Sequence, residues 1–354
     1  MLVAAGVSLA VAPAGSRASL AQAWPAFALV AGLLAIGAAA AREGLFEAAG
    51  AWVARAPGGA ATLLAGLLAV EAVVTAVLNL DTAVVFVTPV LLQAARRRSL
   101  PEEPFLYGAV FVANAASLVL PGSNLTNLIV VSREPVSGSA FAARLAPGWA
   151  AAVAVTVAFL LVTFRRGLAA SRPAVAQRPA ARLGPGTVGI AAAAMLVLAL
   201  PQPALPVLAL GCATAFAARL SPRQLWDSVT PGVLLGVLAL SVVLGAAARG
   251  VSSLGHLVGG AGRWESAWLA AGAAVLVNNL PAAVALSSHP AGHPRALLLG
   301  LDLGPNLAVT GSLSGILWLQ VARRHGARPS ARRYTLLGLV LVPLSLAAAL
   351  VVTT

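Results

Sequence analysis

The chain has 354 residues, of which 60% are hydrophobic and only 9% are charged. A mean hydropathy of +0.92 excludes an ordinary soluble domain. Apolar runs of about 20 residues, the length that crosses a bilayer, recur from end to end. All 23 basic residues are arginines in short loops, so the net charge of +13 indicates membrane topology, and we expect no nucleic-acid partner. One cysteine, Cys212, excludes a disulfide framework.

The first half of the chain predicts clean spans interleaved with two interrupted ones. Polar residues at Asn79, Asp81 and Thr82, and then Pro89, break one apolar run, and Pro121-Gly122-Ser123-Asn124 breaks the next. The predicted elements are spans at about 2–12 and 20–41, an interfacial amphipathic segment at 44–55, a re-entrant hairpin at 62–95, a broken helix at 104–131 and a clean span at 145–164.

The second half repeats this order after a basic linker at 165–185, in which five arginines alternate with prolines. Asn278-Asn279-Leu280-Pro281 interrupts its hairpin, and the segment from Asp302 to Ser312 interrupts its broken helix. The predicted elements are spans at about 186–200, 204–218 and 226–247, a hairpin at 265–288, a broken helix at 295–320 and a final span at 335–352.

The matched order predicts an all-α polytopic membrane protein with two inverted-topology repeats, 1–164 and 186–354. Matched interruptions in two halves are the best sequence pointer to a transporter's binding site. If the first hairpin opens to the cytoplasm and the second to the outside, 17 arginines are cytoplasmic and 6 are external. This arrangement follows the positive-inside rule, with a cytoplasmic N-terminus and an external C-terminus.

Only three of the 10 acidic residues lie inside apolar runs: Glu71, Asp81 and Asp302. A carboxylate at such a position costs about 3 kcal/mol and usually faces a cavity. For Asp81 and Asp302 we favour a functional role, although either could instead cap a helix at a break. Glu71 has no polar neighbours in the sequence, and a structural role is equally compatible with it.

Amides and hydroxyls cluster at the same breaks. Any one of them could join helices by hydrogen bonds, but their grouping predicts a polar cavity lined by half-helix ends, suited to a small oxyacid, an anion or a cation. The four histidines fall in loops, which predicts no metal site, and no P-loop is present, so we expect neither a cofactor nor ATP hydrolysis. The candidates are Asn79, Thr82, Asn114, Ser117, Ser123, Asn124, Thr126, Asn127, Asn278, Asn279, Asn306, Thr310 and Ser312.

At these motifs the chain resembles the arsenite/antimonite efflux permeases (ArsB type) of the ion transporter superfamily. The resembling segments are Leu78-Asn79-Leu80-Asp81-Thr82, Ser123-Asn124-Leu125-Thr126-Asn127, Asn278-Asn279-Leu280-Pro281 and Asp302-Leu303-Gly304-Pro305. The resemblance implies proton-driven export of trivalent arsenic or antimony hydroxide, a homodimer and, in some members, a separate ATPase subunit. The residues that match the family's binding motifs are Asn79, Asp81, Thr82, Ser123, Asn124, Asn278, Asn279 and Asp302.

Three departures from the family accompany this resemblance. The chain is expected to lack one N-terminal span. Asn114 stands where the family often has aspartate in the first broken helix, and Asn306 stands where it often has lysine. The two asparagines remove a possible charge pair, which predicts a change of substrate or coupling ion.

We therefore expect a secondary transporter that exports arsenite or antimonite, with Asp302 and Asp81 as the proton-exchanging groups. The alternatives are a cation-coupled symporter of a carboxylate or another oxyanion, whose substrate would bind at helix N-termini, and a sodium/proton antiporter of the same superfamily. A non-transporting membrane scaffold or receptor would not need mirrored polar breaks inside the membrane.

Overall fold

A computed structural model describes residues 2–55, 58–132, 136–169, 183–200 and 202–353, and every regular element within these ranges is a helix. The α-helices are α1 Leu2–Val11, α2 Pro13–Arg42, α3 Leu45–Ala54, α4 Ala60–Val77, α5 Leu80–Arg97, α6 Glu103–Ala116, α7 Leu125–Val131, α8 Gly138–Thr163, α9 Arg165–Leu168, α10 Pro185–Ala199, α11 Ala204–Ala217, α12 Pro222–Val229, α13 Pro231–Arg249, α14 Ser252–Gly260, α15 Arg263–Val277, α16 Asn279–Leu286, α17 Pro294–Leu303, α18 Leu313–Arg324 and α19 Ala331–Val352. Short 3₁₀ turns lie at Pro121–Ser123, Gly304–Leu307 and Val309–Gly311.

Five helical segments of the described chain are long and apolar enough to cross a membrane: Pro13–Arg42, Ala60–Val77, Gly138–Thr163, Pro222–Arg249 and Ala331–Val352. Each segment predicted as a hairpin or a broken helix contains two helices: α4 and α5, α6 and α7, α15 and α16, and α17 and α18. The predicted amphipathic segment forms α3. Part of the predicted basic linker, including Arg172, Arg178 and Arg182, lies outside the described residues.

One sequence expectation is wrong in detail. Pro89 does not break its segment but lies inside α5. A membrane helix tolerates an internal proline because packed neighbours satisfy the backbone groups that it frees. The span predicted at 226–247 falls within the membrane-length segment Pro222–Arg249, which Thr230, in a left-handed conformation (φ 46°), divides into α12 and α13. The following Pro231 disfavours a helical conformation at Thr230 and begins the new helix.

The long helix α2 forms the centre of the packing. It packs against α10, α11 and α13 and also contacts the half-helices α5, α7 and α16. Gly32 and Gly211 allow α2 and α11 to touch along their backbones, since a Cβ atom on Gly211 would lie 2.5 Å from the carbonyl oxygen of Gly32. Small residues at a helix contact are the usual means of close packing in a membrane.

An aromatic cluster joins the two halves of the chain at one end of the broken helices. Tyr107 and Phe111 of α6 meet Trp318 of α18 and Tyr334 of α19, with ring centroids 4.8 to 6.2 Å apart. The Trp318 indole N–H donates to the Leu106 carbonyl at 2.8 Å. All four rings are almost fully buried, so this cluster fixes the broken helices of the two halves against each other.

Candidate functional site

Four half-helices begin at the polar breaks, and a side chain caps each one. Asn79 accepts from the Thr82 N–H at 2.8 Å, and Asn124 accepts from the Thr126 N–H at 3.2 Å. In the second half, Asn278 accepts from the Leu280 N–H at 3.3 Å and Ser312 from the Gly315 N–H at 3.1 Å. These caps satisfy amide groups that would otherwise be orphaned at a helix start away from water.

The interruptions of the two halves share backbone geometry. In each broken helix, a three-residue 3₁₀ turn lies between two extended residues: Leu120 (φ −129°, ψ 153°) and Asn124 (−145°, 144°) in the first half. Ala308 (−145°, 136°) and Ser312 (−141°, 159°) take the same places in the second. The two hairpins break at asparagines with positive φ, 150° at Asn79 and 77° at Asn278.

Asp302 is the fully buried carboxylate at the centre of the site. The Asn124 side-chain amide donates to its Oδ1 at 2.8 Å and the Thr126 hydroxyl donates to the same oxygen at 2.5 Å. Ser117 Oγ lies 3.5 Å from Oδ2. Asp302 is not a helix cap, because it lies at the C-terminal end of α17, so the capping alternative is wrong for this residue.

The first broken helix is held in shape by its own polar side chains. The Asn127 amide donates to the carbonyls of Ser117 (2.8 Å) and Leu120 (3.0 Å). Ser123 Oγ donates to the same two carbonyls. The Ser117 hydroxyl donates to the Asn114 carbonyl at 2.8 Å and accepts from Asn124 at 3.1 Å. The donors to Asp302 are therefore fixed before any substrate binds.

Asn114 and Asn306, the two departures from the family pattern, contact each other. Asn114 Nδ2 donates to Asn306 Oδ1 at 2.7 Å, and Asn306 Nδ2 donates to the Phe111 carbonyl at 3.3 Å. Ser314 Oγ donates to Asn114 Oδ1 at 3.3 Å and also lies 2.7 Å from Ser312 Oγ. A neutral amide pair therefore occupies the position that a buried charge pair could take.

The candidates on the hairpins do not hydrogen bond to Asp302. Asp81 is buried on α5, and its Oδ1 has no hydrogen-bond partner among the described residues, as is the case for Asn79 Nδ2, Thr82 Oγ1 and Asn279 Oδ1. The Asn278 amide links the second hairpin to the second broken helix by donating to the Thr310 carbonyl at 3.0 Å. The Thr310 side chain itself is exposed.

Two members of the network were not anticipated in their roles. Thr126 was one hydroxyl among many in the sequence, and its contact with Asp302, 176 positions away, depends on how the halves pack. Ser314 was not predicted as a site residue, although it follows the predicted Ser312 by two residues. The nearest sequence signal for both was their place within the first turn of a half-helix.

Every polar side chain of the described buried site is either neutral or acidic, and none of them is basic. The buried polar side chains of the described residues include Glu71, Asp81 and Asp302 but no arginine or histidine, and the sequence contains no lysine. No group of three or more histidine, cysteine or acidic side chains that could hold a metal ion occurs in the described ranges. A substrate here meets hydroxyls, amides and carboxylates.

Comparison with known proteins agrees with this transporter-like arrangement. The profile of the CitMHS family, described as citrate transporter, matches residues 1–304. The chain belongs to this citrate transporter family. Its members and relatives are transporters rather than enzymes, and the apolar helices make this chain a multi-pass membrane protein.

Several transporters are similar to the chain over most of its length. An uncharacterized transporter of Mycobacterium tuberculosis is 26% identical over 368 residues, which cover 92% of this chain and 84% of that protein. The arsenical pump membrane protein of Yersinia enterocolitica is 25% identical over 359 residues, 90% of this chain and 83% of that protein. Over a shorter stretch, the silicon efflux transporter LSI3 of rice, Oryza sativa, is 26% identical over 144 residues, 41% of this chain and 30% of that protein.

The fold is also similar to that of a solved transporter. The crystal structure of the YdaH transporter of Alcanivorax borkumensis, reported to have an unusual topology, superimposes with a TM-score of 0.60 over 96% of this chain and 86% of that one. The sequence identity is 15%, so this likeness concerns the fold alone.

Proposed function

We propose that the protein is a secondary active transporter that exports arsenite or antimonite as the neutral hydroxide in exchange for protons. The observation that carries the proposal is the bonding of Asp302 to Asn124 and Thr126 inside a buried site that contains no basic side chain among the described residues. A neutral polyhydroxylated substrate needs donors and acceptors rather than countercharges. Amides and hydroxyls provide both.

Unpartnered polar atoms in the site match such a substrate. Asn79 Nδ2 is a free donor, Thr82 Oγ1 can donate or accept, and the Oδ1 atoms of Asn127 and Asn279 are free acceptors within the described chain. A buried polar atom without a partner costs about 1–3 kcal/mol, which a bound hydroxide would recover in part. The similarity to an arsenical pump protein and to a silicon efflux transporter supports this class, because both elements form neutral hydroxides near neutral pH.

Proton coupling is assigned to Asp302, with Asp81 as a second carboxylate on the first hairpin. An ionised Asp302 is held by charge-assisted hydrogen bonds from the other half of the chain. Protonation removes the charge and weakens these bonds. The protonation state of Asp302 would therefore control how firmly α17 holds α7, which connects proton binding to movement between the halves.

The two-repeat arrangement and its orientation belong to the same proposal. Repeats at 1–164 and 186–354, joined by the linker 165–185, would face the membrane in opposite senses, with a cytoplasmic N-terminus and an external C-terminus. The contacts Arg42 to the Arg219 carbonyl (2.7 Å) and Arg98 to the Ala54 carbonyl (2.6 Å) each join segments assigned to the cytoplasm. A homodimer and an optional ATPase subunit remain expectations from the resemblance.

Arsenite sensitivity of a host deleted for its own exporter tests the function. Expression of the chain should restore growth on arsenite, and everted vesicles should accumulate arsenite when an interior-acid pH gradient is imposed. Asp302→Asn should abolish the accumulation, while Glu47→Gln, on an exposed position of α3, should leave it unchanged. A host that stays sensitive despite normal membrane expression would refute arsenite export.

Cation-coupled transport of a carboxylate is the second candidate, and the citrate transporter profile favours it. A tricarboxylate would have to bind at helix N-termini, since no basic side chain is buried in the described site. Sodium-dependent uptake of citrate into right-side-out vesicles, together with no arsenite tolerance, would select this candidate over the first.

A further inference from the structure

The first hairpin contains a stripe of buried polar atoms, of which those of Glu71 and Thr75 have no role in the site described above. Glu71 and Thr75 of α4 are fully buried, and both Glu71 carboxyl oxygens and the Thr75 hydroxyl have no hydrogen-bond partner in the described chain. Asn79 Nδ2 and Thr82 Oγ1 continue the set. Glu71 and Thr75 are four residues apart on α4 and lie on one face of that helix, which ends at Val77. Asn79 follows at the hairpin break, where it caps α5, so the stripe runs from mid-α4 to this break.

The second hairpin has no such stripe among its described residues. Counted back from the capping asparagine, the positions of Glu71 and Thr75 correspond to Ala270 and Ala274 in α15. Both alanines are fully buried. A hairpin of this type therefore packs with small apolar side chains at these two positions, and a buried carboxyl there is not a requirement of packing.

No neighbouring group of the described chain compensates Glu71. The elements packed against α4 are α3, α5, α6, α8, α9, α10 and the 3₁₀ turn Pro121–Ser123. They carry Glu47 on α3, Asp81, Arg96 and Arg97 on α5, Glu103 and Tyr107 on α6, Arg144 on α8 and Arg165 and Arg166 on α9, and none of these hydrogen bonds to Glu71. The Tyr107 hydroxyl is already bonded at Ser330.

We propose that Glu71 is a further proton-binding site besides Asp302 and Asp81, connected to the hairpin break by the Glu71–Thr75–Asn79 stripe. A carboxyl group without a countercharge or donor is stable in hydrocarbon only when it holds a proton. The proton would enter from one aqueous phase and leave to the other through water bridging the unpartnered atoms, because buried waters occupy sites with several open polar partners. Deprotonated Glu71 would accept from the Thr75 hydroxyl.

This inference rests on the proposed proton coupling, but it can be tested without a transported substrate. The full-length protein in lipid nanodiscs is titrated with alkali while infrared difference spectra record the C=O band of protonated carboxyl groups. The wild type should lose a band on titration, and Glu71→Gln should lack one component of that loss. Asp302→Asn should retain this component, and so should Glu47→Gln, the exposed control. Identical spectra for the wild type and Glu71→Gln would overturn the proposal.

A transport measurement then tests whether the proton moves in the cycle. In proteoliposomes held at zero membrane potential, the pH difference that balances a fixed arsenite gradient should increase about 1.5-fold in Glu71→Gln, because the number of protons per cycle falls from three, on Asp302, Asp81 and Glu71, to two. If the balancing pH difference is the same in Glu71→Gln as in the wild type, Glu71 stays protonated throughout the cycle, and the proposal is refuted. If arsenite is not transported at all, the proposed function fails, while the infrared result still decides whether Glu71 titrates. Should Glu71→Gln not fold, Glu71→Ala with Thr75→Ala copies the second hairpin and replaces it in both experiments.

Discussion

The Thr126 hydroxyl of α7 donates a hydrogen bond to the Asp302 carboxylate of α17, with an oxygen–oxygen distance of 2.5 Å. The two residues come from opposite halves of the chain, and each lies beside the break of its own discontinuous helix. The bond therefore joins the two interrupted helices directly. In the proposed cycle, proton binding at Asp302 loosens this junction.

Removing the Thr126 hydroxyl should impair transport without unfolding the protein. Hydrogen bonds to charged groups contribute about 1.5–3 kcal/mol, so Thr126→Val should reduce the transport rate about 10- to 100-fold. Thr126→Ser keeps the hydroxyl and should retain most of the activity. Arsenite uptake into everted vesicles measures both variants. A Thr126→Val protein as active as the wild type would remove this bond from the mechanism.

The neutral pair of Asn114 and Asn306 can be replaced by a charge pair. Asn114→Asp or Asn306→Lys alone buries an uncompensated charge and should lower the free energy of unfolding by about 3–5 kcal/mol. The double variant should recover much of that loss, because the two side chains are in contact. Thermal unfolding in detergent measures the coupling. Strictly additive losses would show that the charged side chains do not pair.

Gln22 of α2 and Arg249 of α13 form a pair of hydrogen-bonded side chains, here called the polar strap. We expect this strap to control access to the half-helices α7 and α16. Gln22 Nε2 donates to the Ile129 carbonyl (3.3 Å) and to Ser287 Oγ (2.8 Å), while Arg249 donates to Gln22 Oε1 at 2.6 Å. A cavity of about 360 Å³, lined in part by Ser287 and His289, lies beside it.

Gln22→Ala should open this strap. Interhelical hydrogen bonds in membranes are worth about 0.6 kcal/mol each, so the loss of stability should be only about 1–2 kcal/mol. Labelling of Ala291→Cys, which also lines this cavity, by a membrane-impermeant thiol reagent in a Cys212→Ser background should become faster. Equal labelling rates with and without the Gln22→Ala substitution would mean that the strap does not restrict access.

Asn79 occupies a backbone conformation (φ 150°) that disfavours side chains. Asn79→Gly and Asn79→Ala both remove the cap on α5, but alanine keeps the steric strain of a Cβ atom that asparagine already bears, whereas glycine relieves it. Asn79→Ala should therefore unfold at lower temperature than Asn79→Gly, by about 1–2 kcal/mol of stability. Thermal melting of the two purified variants gives the comparison. Equal stability would contradict the strained geometry of the break.

Much of the architecture could be predicted because polar interruptions in an apolar chain are conspicuous. The breaks at Asn79, Asn124, Asn278 and Ser312 were visible as clusters, and each of these residues caps a half-helix. The partner of Asp302 was not visible, because contacts between Thr126 and Asp302 depend on packing rather than on local pattern. The break predicted at Pro89 was wrong for a related reason, because packed neighbouring helices decide whether a proline ends a membrane helix.

The contact between Asn114 and Asn306 likewise could not be predicted from local sequence, because it depends on how the folded chain packs. The sequence resemblance marked both positions as departures, and their joint change was consistent with a contact. The hydrogen bond of 2.7 Å between them, and the supporting bond from Ser314, are visible only in the folded chain.

Proton movement driven by arsenite tests the central claim most directly. Purified protein in proteoliposomes with a pH-sensitive dye inside should produce an internal pH change when an arsenite gradient is imposed, and the proton flux should follow the arsenite flux in a fixed ratio. Asp302→Asn should abolish the proton movement, whereas Glu47→Gln should not alter it. Arsenite flux without proton movement in the wild type, or an unchanged proton flux in Asp302→Asn, would contradict proton-coupled export through Asp302.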